Sequence, residues 1–260
     1  MWTVLALLIG ATVAGSDGHA AAYADTPPSV SIWPLPQNLT VSETAKQIPF
    51  SSFAFEVHHD SHTSPLVADA VSRAAASLFR RGTPPPTGGA VHVRAIVSVT
   101  NPSAETLSLA TDESYSLAVV ATGATRTKAA VPPNVDAAAP NPAATITISI
   151  SAYSVYGFMH AIQTLAQIIK YDAIKGQYTV VAPLLVEDHP RFPHRELMLD
   201  AARFYLPLPL LRAAVDAMAV VKMNVLHVHA TDSESFPLVL QKRPEFNRLA
   251  FSDSERYVSG

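Results

Sequence analysis

The chain has 260 residues, of which 48% are hydrophobic and 15% charged, with a formal net charge of −3. That balance can bury a sizeable core and excludes a disordered or low-complexity chain. Its basic residues never run longer than the pair Arg80-Arg81, which excludes the basic stripe of a nucleic-acid binder and a polybasic membrane anchor. Cysteine is absent, so neither a disulfide framework nor a thiolate metal site is available.

The apolar run Trp2 to Gly15 is too short to span a bilayer, and small residues follow it. It reads as a secretory signal peptide over residues 1–24, cleaved after Gly15 or after Ala24, although no basic side chain precedes it. Export is therefore expected, with no transmembrane span. Asn38-Leu39-Thr40 is the usable N-x-S/T triplet, because Asn101-Pro102-Ser103 carries a proline. Glycosylation is expected at Asn38 on a surface turn.

Val30 to Val41 is extended and punctuated by proline. Phe53 to His58 alternates Phe53, Phe55 and Val57 on one face, the period of a half-buried strand. Pro65 to Arg81 predicts a helix: proline suits its first turn, apolar residues recur at helical spacing, and Gly82 stops it. Ala90 to Val99, Tyr115 to Val120 and Ala144 to Ile150 are strands rich in β-branched residues. Gly123 to Pro142, rich in Ala, Pro and Asn, is a loop. Val155 to Lys170 forms a second helix with Val155, Phe158, Met159, Ile162, Leu165 and Ile169 on one stripe. With little sign of parallel strand–helix–strand order, these elements predict an α+β domain over residues 30–180.

The pattern then changes. Glu196 to Asp200 is a strand, Leu208 to Met223 an amphipathic helix with Leu211, Val215, Met218 and Lys222 in register, and Asn224 to Ala230 another strand. This is the opening of a (β/α)8 TIM barrel over residues 190–260, followed by a long loop. A complete barrel takes roughly 250 residues, so the barrel is expected to be incomplete.

The run His189 to Leu238 (HPRFPHRELMLDAARFYLPLPLLRAAVDAMAVVKMNVLHVHATDSESFPL) resembles the start of the catalytic barrel in β-N-acetylhexosaminidases of glycoside hydrolase family 20. The family pattern is approximately PRF-x-x-RG-x-x-x-D-x-x-R-x-(Y/F)-x-P, then K-x-N-x-x-H-x-H-x-x-D-x-x-(S/A)-(F/W)-P. Earlier segments agree more loosely: WPLPQNLT, ESYSLAV and YGFMHAIQTLAQII resemble parts of the family's N-terminal domain, and SDSERY resembles plant-type members. The chain departs at Glu196 (a family glycine), at Val228 (a tryptophan), at Phe158-Met159 (a tight glycine in the second helix), and at Ser233-Glu234.

The resemblance implies retaining removal of terminal N-acetylglucosamine or N-acetylgalactosamine, with N-acetylhexosamine-terminated glycans or chito-oligosaccharides as partners. It implies no cofactor, and a homodimer for full-length members. It makes Arg203 the arginine that grips ring hydroxyls; a guanidinium suits this because its fixed fork donates to two neighbours. Spacing alone also allows a surface arginine capping a helix. Asp232, 29 residues later, is by resemblance a carboxylate tuning the acid/base through a histidine, or else the cap of a turn. His227 and His229 share strand parity. They are either a structural pair, with His229 supporting Asp232, or the start of a metal site as in amidohydrolases, which needs further ligands. Arg195 and Asp200 match family positions and are expected in rim salt bridges.

The family's nucleophile is the substrate's acetamido oxygen, assisted by an adjacent Asp-Glu pair. The one Asp-Glu dipeptide here, Asp112-Glu113, precedes a strand of the first domain and reads as a solvated turn. The chain is therefore expected to lack its catalytic residues and to be inactive alone, in the secretory pathway, lysosome or vacuole. The competing expectation is a non-catalytic, weakly sugar-binding product.

Overall fold

A computed structural model describes residues 30–57, 64–79, 91–102, 106–122, 144–249 and 257–258. The expected signal peptide and the loop Gly123 to Pro142 lie outside these residues.

The first part is one mixed sheet carrying two helices. Its strands are β1 (Asn38–Phe50), β2 (Ser52–Val57), β3 (Val91–Val99), β4 (Tyr115–Thr122), β5 (Ala144–Ala152), β6 (Lys170–Asp172) and β7 (Gln177–Asp188); its helices are α1 (Pro65–Leu78) and α2 (Val155–Ile168). The spatial order is β1-β7-β4-β5-β3-β2, with β6 beside β7. Strands β2, β3 and β5 are parallel, whereas β4 and β7 run antiparallel to their neighbours.

The parallel crossover β2–α1–β3 corrects the expectation of little parallel order. Parallel strands are usually buried on both faces and read as continuous apolar runs. Here only one face is covered: Val93, Ala95, Val97 and Val99 are buried, while Arg94 points to solvent. The resulting alternation is the one expected of an antiparallel strand.

Val155, Phe158, Ala161, Leu165 and Ile168 of α2 are buried, in one hydrophobic cluster with Leu117, Val119, Ile146, Ile148 and Ile150. Ser154 caps α2 by accepting from the Gly157 N–H, and its hydroxyl donates to the Asp112 carbonyl. Gly157 is the tight glycine of this helix. A Cβ there would lie 2.4 Å from the Ser114 carbonyl oxygen, so the close approach stands one residue ahead of Phe158-Met159, where the sequence reading placed its loss.

β7 runs through the domain boundary expected near residue 180. Its stretch Tyr178 to Ala182 is buried without alternation, where β7 pairs with β1 and, at Tyr178 and Thr179, also with β6. The sheet layer thus continues to Asp188.

Beyond it, β8 (Glu196–Asp200), α3 (Leu208–Val220) and β9 (Val225–His229) form a parallel strand–helix–strand unit, with Glu196 opposite Val225 and Asp200 opposite His229. α3 ends before the expected Met223 because Lys222 takes a left-handed φ of 61°. Of its expected stripe Met218 is buried, whereas Val215 is exposed. The expected terminal loop contains a short strand β10 (Leu238–Val239), a 3-10 turn (Pro244–Leu249) and β11 (Tyr257–Val258), which pairs in parallel with β10.

Candidate functional site

Two polar clusters lie at opposite ends of the β8–β9 pair. At the C-terminal ends, Asp200 and His229 are register partners, and the turns that follow bring Arg203 and Asp232 together. Arg203 donates from Nη1 to Asp200 Oδ2 at 2.8 Å and pairs through Nη2 with Asp232 Oδ2 at 3.0 Å. One guanidinium therefore bridges carboxylates from both strands through two different nitrogens of its planar fork.

The carboxylates are themselves fixed. Asp200 Oδ1 accepts from the Ala202 and Arg203 N–H groups, and Asp232 Oδ1 from those of Glu234 and Ser235. His229 Nε2 lies 3.3 Å from Asp232 Oδ2. The Glu234 N–H first, with His229, Ser235 and Arg203 adding, holds the Asp232 carboxyl below the usual carboxylate range. Asp200 is lowered chiefly by its bond to Arg203, and Arg203 is raised chiefly by the same bond. The Asp200 and Asp232 carboxylates are ionised at neutral pH, and half of the Arg203 side chain is open to solvent.

His227 lies on the same face of β9 but joins a different carboxylate. Its Nδ1 is 2.9 Å from Glu196 Oε1, and His194 Nε2 is 3.0 Å from Glu196 Oε2. The two strand histidines are therefore bound to separate acids rather than acting as a pair. Among the described residues, no group of three His, Cys, Asp or Glu is placed to hold a metal ion. Asn38 is exposed at the first residue of β1, opposite Glu187, rather than in a turn.

Arg195 stands at the other end of β8, and this corrects its assignment to a rim salt bridge. Its guanidinium forms a two-point pair with Glu113, Nη2 to Oε2 at 2.6 Å and Nη1 to Oε1 at 3.1 Å. It also donates from Nε to the Lys222 carbonyl and from Nη1 to the Phe192 carbonyl. Glu113 is buried and also meets His160 Nε2 at 2.6 Å, so it is no solvated turn. Alternation explains this: Glu113 has the parity of Tyr115, Leu117 and Val119, whose side chains face inward.

Beside this pair, Lys222 Nζ reaches Asp188 Oδ2 at 2.7 Å and the Tyr115 hydroxyl at 2.8 Å, and that hydroxyl contacts Thr164. Burial pushes the Lys222 ammonium down, against the Asp188 carboxylate beside it, and pushes the Tyr115 phenol up. These residues join the sheet to the strand–helix–strand unit. Lys222 was foreseen as part of an amphipathic stripe and as the lysine that opens the second motif, but its pairing with Asp188 was not.

Two family models match the chain. Residues 32–168 match the model described as "beta-acetyl hexosaminidase like", and residues 192–258 match "Glycosyl hydrolase family 20, catalytic domain". A chitooligosaccharidolytic beta-N-acetylglucosaminidase of Ostrinia furnacalis is 32% identical over 233 residues, covering 87% of this chain and 36% of its own length. Beta-hexosaminidase 3 of Arabidopsis thaliana is 33% identical over 173 residues, covering 66% and 29% respectively. The chain thus spans about a third of the length of these relatives. In fold it is similar to a chitobiase of Flavobacterium johnsoniae, with a TM-score of 0.59 at 24% identity over 88% of this chain and 31% of that one. The first of the two matches alone spans more than half of the sequence, and the chain belongs to the β-hexosaminidase-like proteins of glycosyl hydrolase family 20.

Proposed function

We propose that the chain supplies the sheet domain and the first strand–helix–strand of an unfinished (β/α)8 barrel in a retaining β-N-acetylhexosaminidase. The observation that carries this reading is Arg203 bridging Asp200 and Asp232 at the C-terminal ends of parallel strands, the face on which barrel active sites are built. Arg203 binds hydroxyls of a terminal N-acetylglucosamine or N-acetylgalactosamine. Asp232 holds Arg203 in place and, through His229, tunes the protonation of the acid/base. The substrate's acetamido oxygen is the nucleophile.

The Asp-Glu pair that this chemistry needs is supplied by sequence beyond residue 260. The chain's own Asp112-Glu113 cannot serve, since Glu113 is engaged by Arg195 and His160 at the opposite strand ends. The domains are residues 30–188 and 190–260, behind a signal peptide at 1–24 that directs secretion or delivery to a lysosome or vacuole, with Asn38 glycosylated. No helix among the described residues is long and apolar enough to cross a membrane.

The test is hydrolysis of a chromogenic N-acetylglucosaminide by the 260-residue chain and by the gene product that continues past it. The longer protein is expected to release the aglycone with retention, and the 260 residues alone to release none. Turnover by the shorter chain would overturn the placement of the catalytic pair, and inactivity of the longer one would favour a non-catalytic sugar binder.

A further inference from the structure

We propose that His160 makes the joint between the sheet domain and the β8–α3–β9 unit an acid-opened latch. The joint is a closed set of buried polar groups drawn from every element that meets there. Glu113, just before β4, takes both arms of Arg195, which precedes β8; Asp188, ending β7, takes Lys222, which follows α3. The Lys222 carbonyl in turn accepts from Arg195 Nε, so the two ion pairs are linked into one network. Two carboxylates face two cations, and the charges balance.

His160 enters this balanced set from α2. Its Nε2 lies 2.6 Å from Glu113 Oε2, with the imidazole 12% exposed and the carboxyl 4%. Arg195 Nη2 is 3.4 Å from the same Nε2. As the neutral tautomer carrying hydrogen on Nε2, His160 donates to Glu113 and leaves the balance intact. A second proton on the ring sets three buried cations against two carboxylates. The charges that act on the ring are those of Glu113, Lys222 and Arg195, all within the set; Asp216 and Arg73 are not among them. His160 and Glu113 line a cavity of about 360 Å³ between α1, α2 and α3, whose other charged groups are Arg73 and Asp216. Arg73 is already paired with Asp69.

Burial is the main reason that the His160 imidazole titrates below its ordinary value of 6.5, with Lys222 and Arg195 adding to burial and Glu113 opposing it. A histidine depressed in the folded state gives stability that is fully present above its unfolded value near 6.5. That stability is lost as pH falls from there through the folded value, because the opened state binds the extra proton. Acid therefore favours the opened joint, and with it release of the unit that carries Arg203 and Asp232.

Hydrogen exchange at pH 7.5 and pH 5.0, corrected for intrinsic rates, tests the latch in the whole chain. Residues 195–229 are expected to exchange severalfold faster at the lower pH, while β3 and β5 in the sheet centre hold. His160→Gln keeps an uncharged donor toward Glu113 and is expected to abolish that difference. Equal protection of residues 195–229 at both pH values, or an unchanged pH response in His160→Gln, overturns the proposal. The imidazole C2–H resonance of His160 followed through a pH titration of the unsubstituted chain is an independent check. A midpoint below 6.5 supports the latch, and one at or above 6.5 refutes it.

Discussion

Arg195 and Glu113 stand 82 positions apart in the sequence and meet in a two-point ion pair at 2.6 and 3.1 Å, buried between the sheet and the first parallel strand unit. Both ends are fully occupied, since Arg195 also donates to the Phe192 and Lys222 carbonyls. Removing one partner leaves a buried, uncompensated charge, which costs about 3–5 kcal/mol. Arg195→Met is therefore expected to lower unfolding stability by that amount in urea titration. The double variant Arg195→Met with Glu113→Gln leaves no orphan charge and is expected to lose less than the single one. A single-variant loss under about 1 kcal/mol would show that the pair is solvent-screened.

Gly157 gives a second, purely steric prediction. A methyl group at this position meets the Ser114 carbonyl oxygen at 2.4 Å, and backbone on both sides leaves no flexible end to yield. The gain in helix propensity from Gly157→Ala, about 1 kcal/mol at most, is opposed by an overpacking cost of about 1–3 kcal/mol. Overpacking wins, and the variant is expected to melt lower than the parent. A higher melting temperature would mean that α2 can slide away from β4 without loss.

These two sites also mark what the sequence makes legible. Strand period and β-branched content locate β3, β4 and β5 to within two residues, because one covered face writes alternation directly into the chain. Arg203 and Asp232 are singled out only by resemblance to a family pattern, since spacing past a strand leaves each equally open to a capping role. Glu113 was misread because a two-residue acidic step before a strand looks like a solvated turn until the parity of Tyr115 and Leu117 is extended back to it. The pairing of Asp188 with Lys222 was missed for a different reason. Each is chosen by a partner far away in sequence, and no local pattern records a long-range ion pair.

Lys222 sets a backbone cost against a side-chain gain. Its φ of 61° is a left-handed conformation that only glycine adopts freely, and for lysine this costs about 1–2 kcal/mol. Lys222→Gly relieves that cost but leaves Asp188 buried without its ammonium, a loss of about 3–5 kcal/mol. The side chain outweighs the backbone, so Lys222→Gly is expected to be destabilised by about 2 kcal/mol in chemical denaturation. Asp188→Asn with Lys222→Gly is expected to recover part of this, and an unaltered stability in the single variant would contradict the ion pair's importance.

Arg203 separates function from stability most cleanly, because it is half exposed and its partners are held by other bonds. Asp200 keeps the Ala202 N–H and Asp232 keeps those of Glu234 and Ser235 when the guanidinium is gone. Arg203→Ala is thus expected to leave the melting temperature unchanged. On the proposed function, the same substitution in a full-length enzyme containing this chain is expected to remove charged hydrogen bonds to the sugar and to lower kcat/KM by about 100-fold or more. Arg203→Lys places one point charge where a fork bridged two carboxylates, and is expected to recover little of that loss. Because Asp232 titrates below the ordinary carboxylate value, its pairing with Arg203 is present at and above that value and is lost only as pH falls through the lowered one. Between pH 5 and 7 the grip on the sugar is therefore expected to be independent of Asp232 ionisation, which Asp232→Asn checks directly: the variant should bind more weakly at both pH values, by the same factor. A factor that shrinks toward pH 5 would mean that Asp232 is already gaining its proton there.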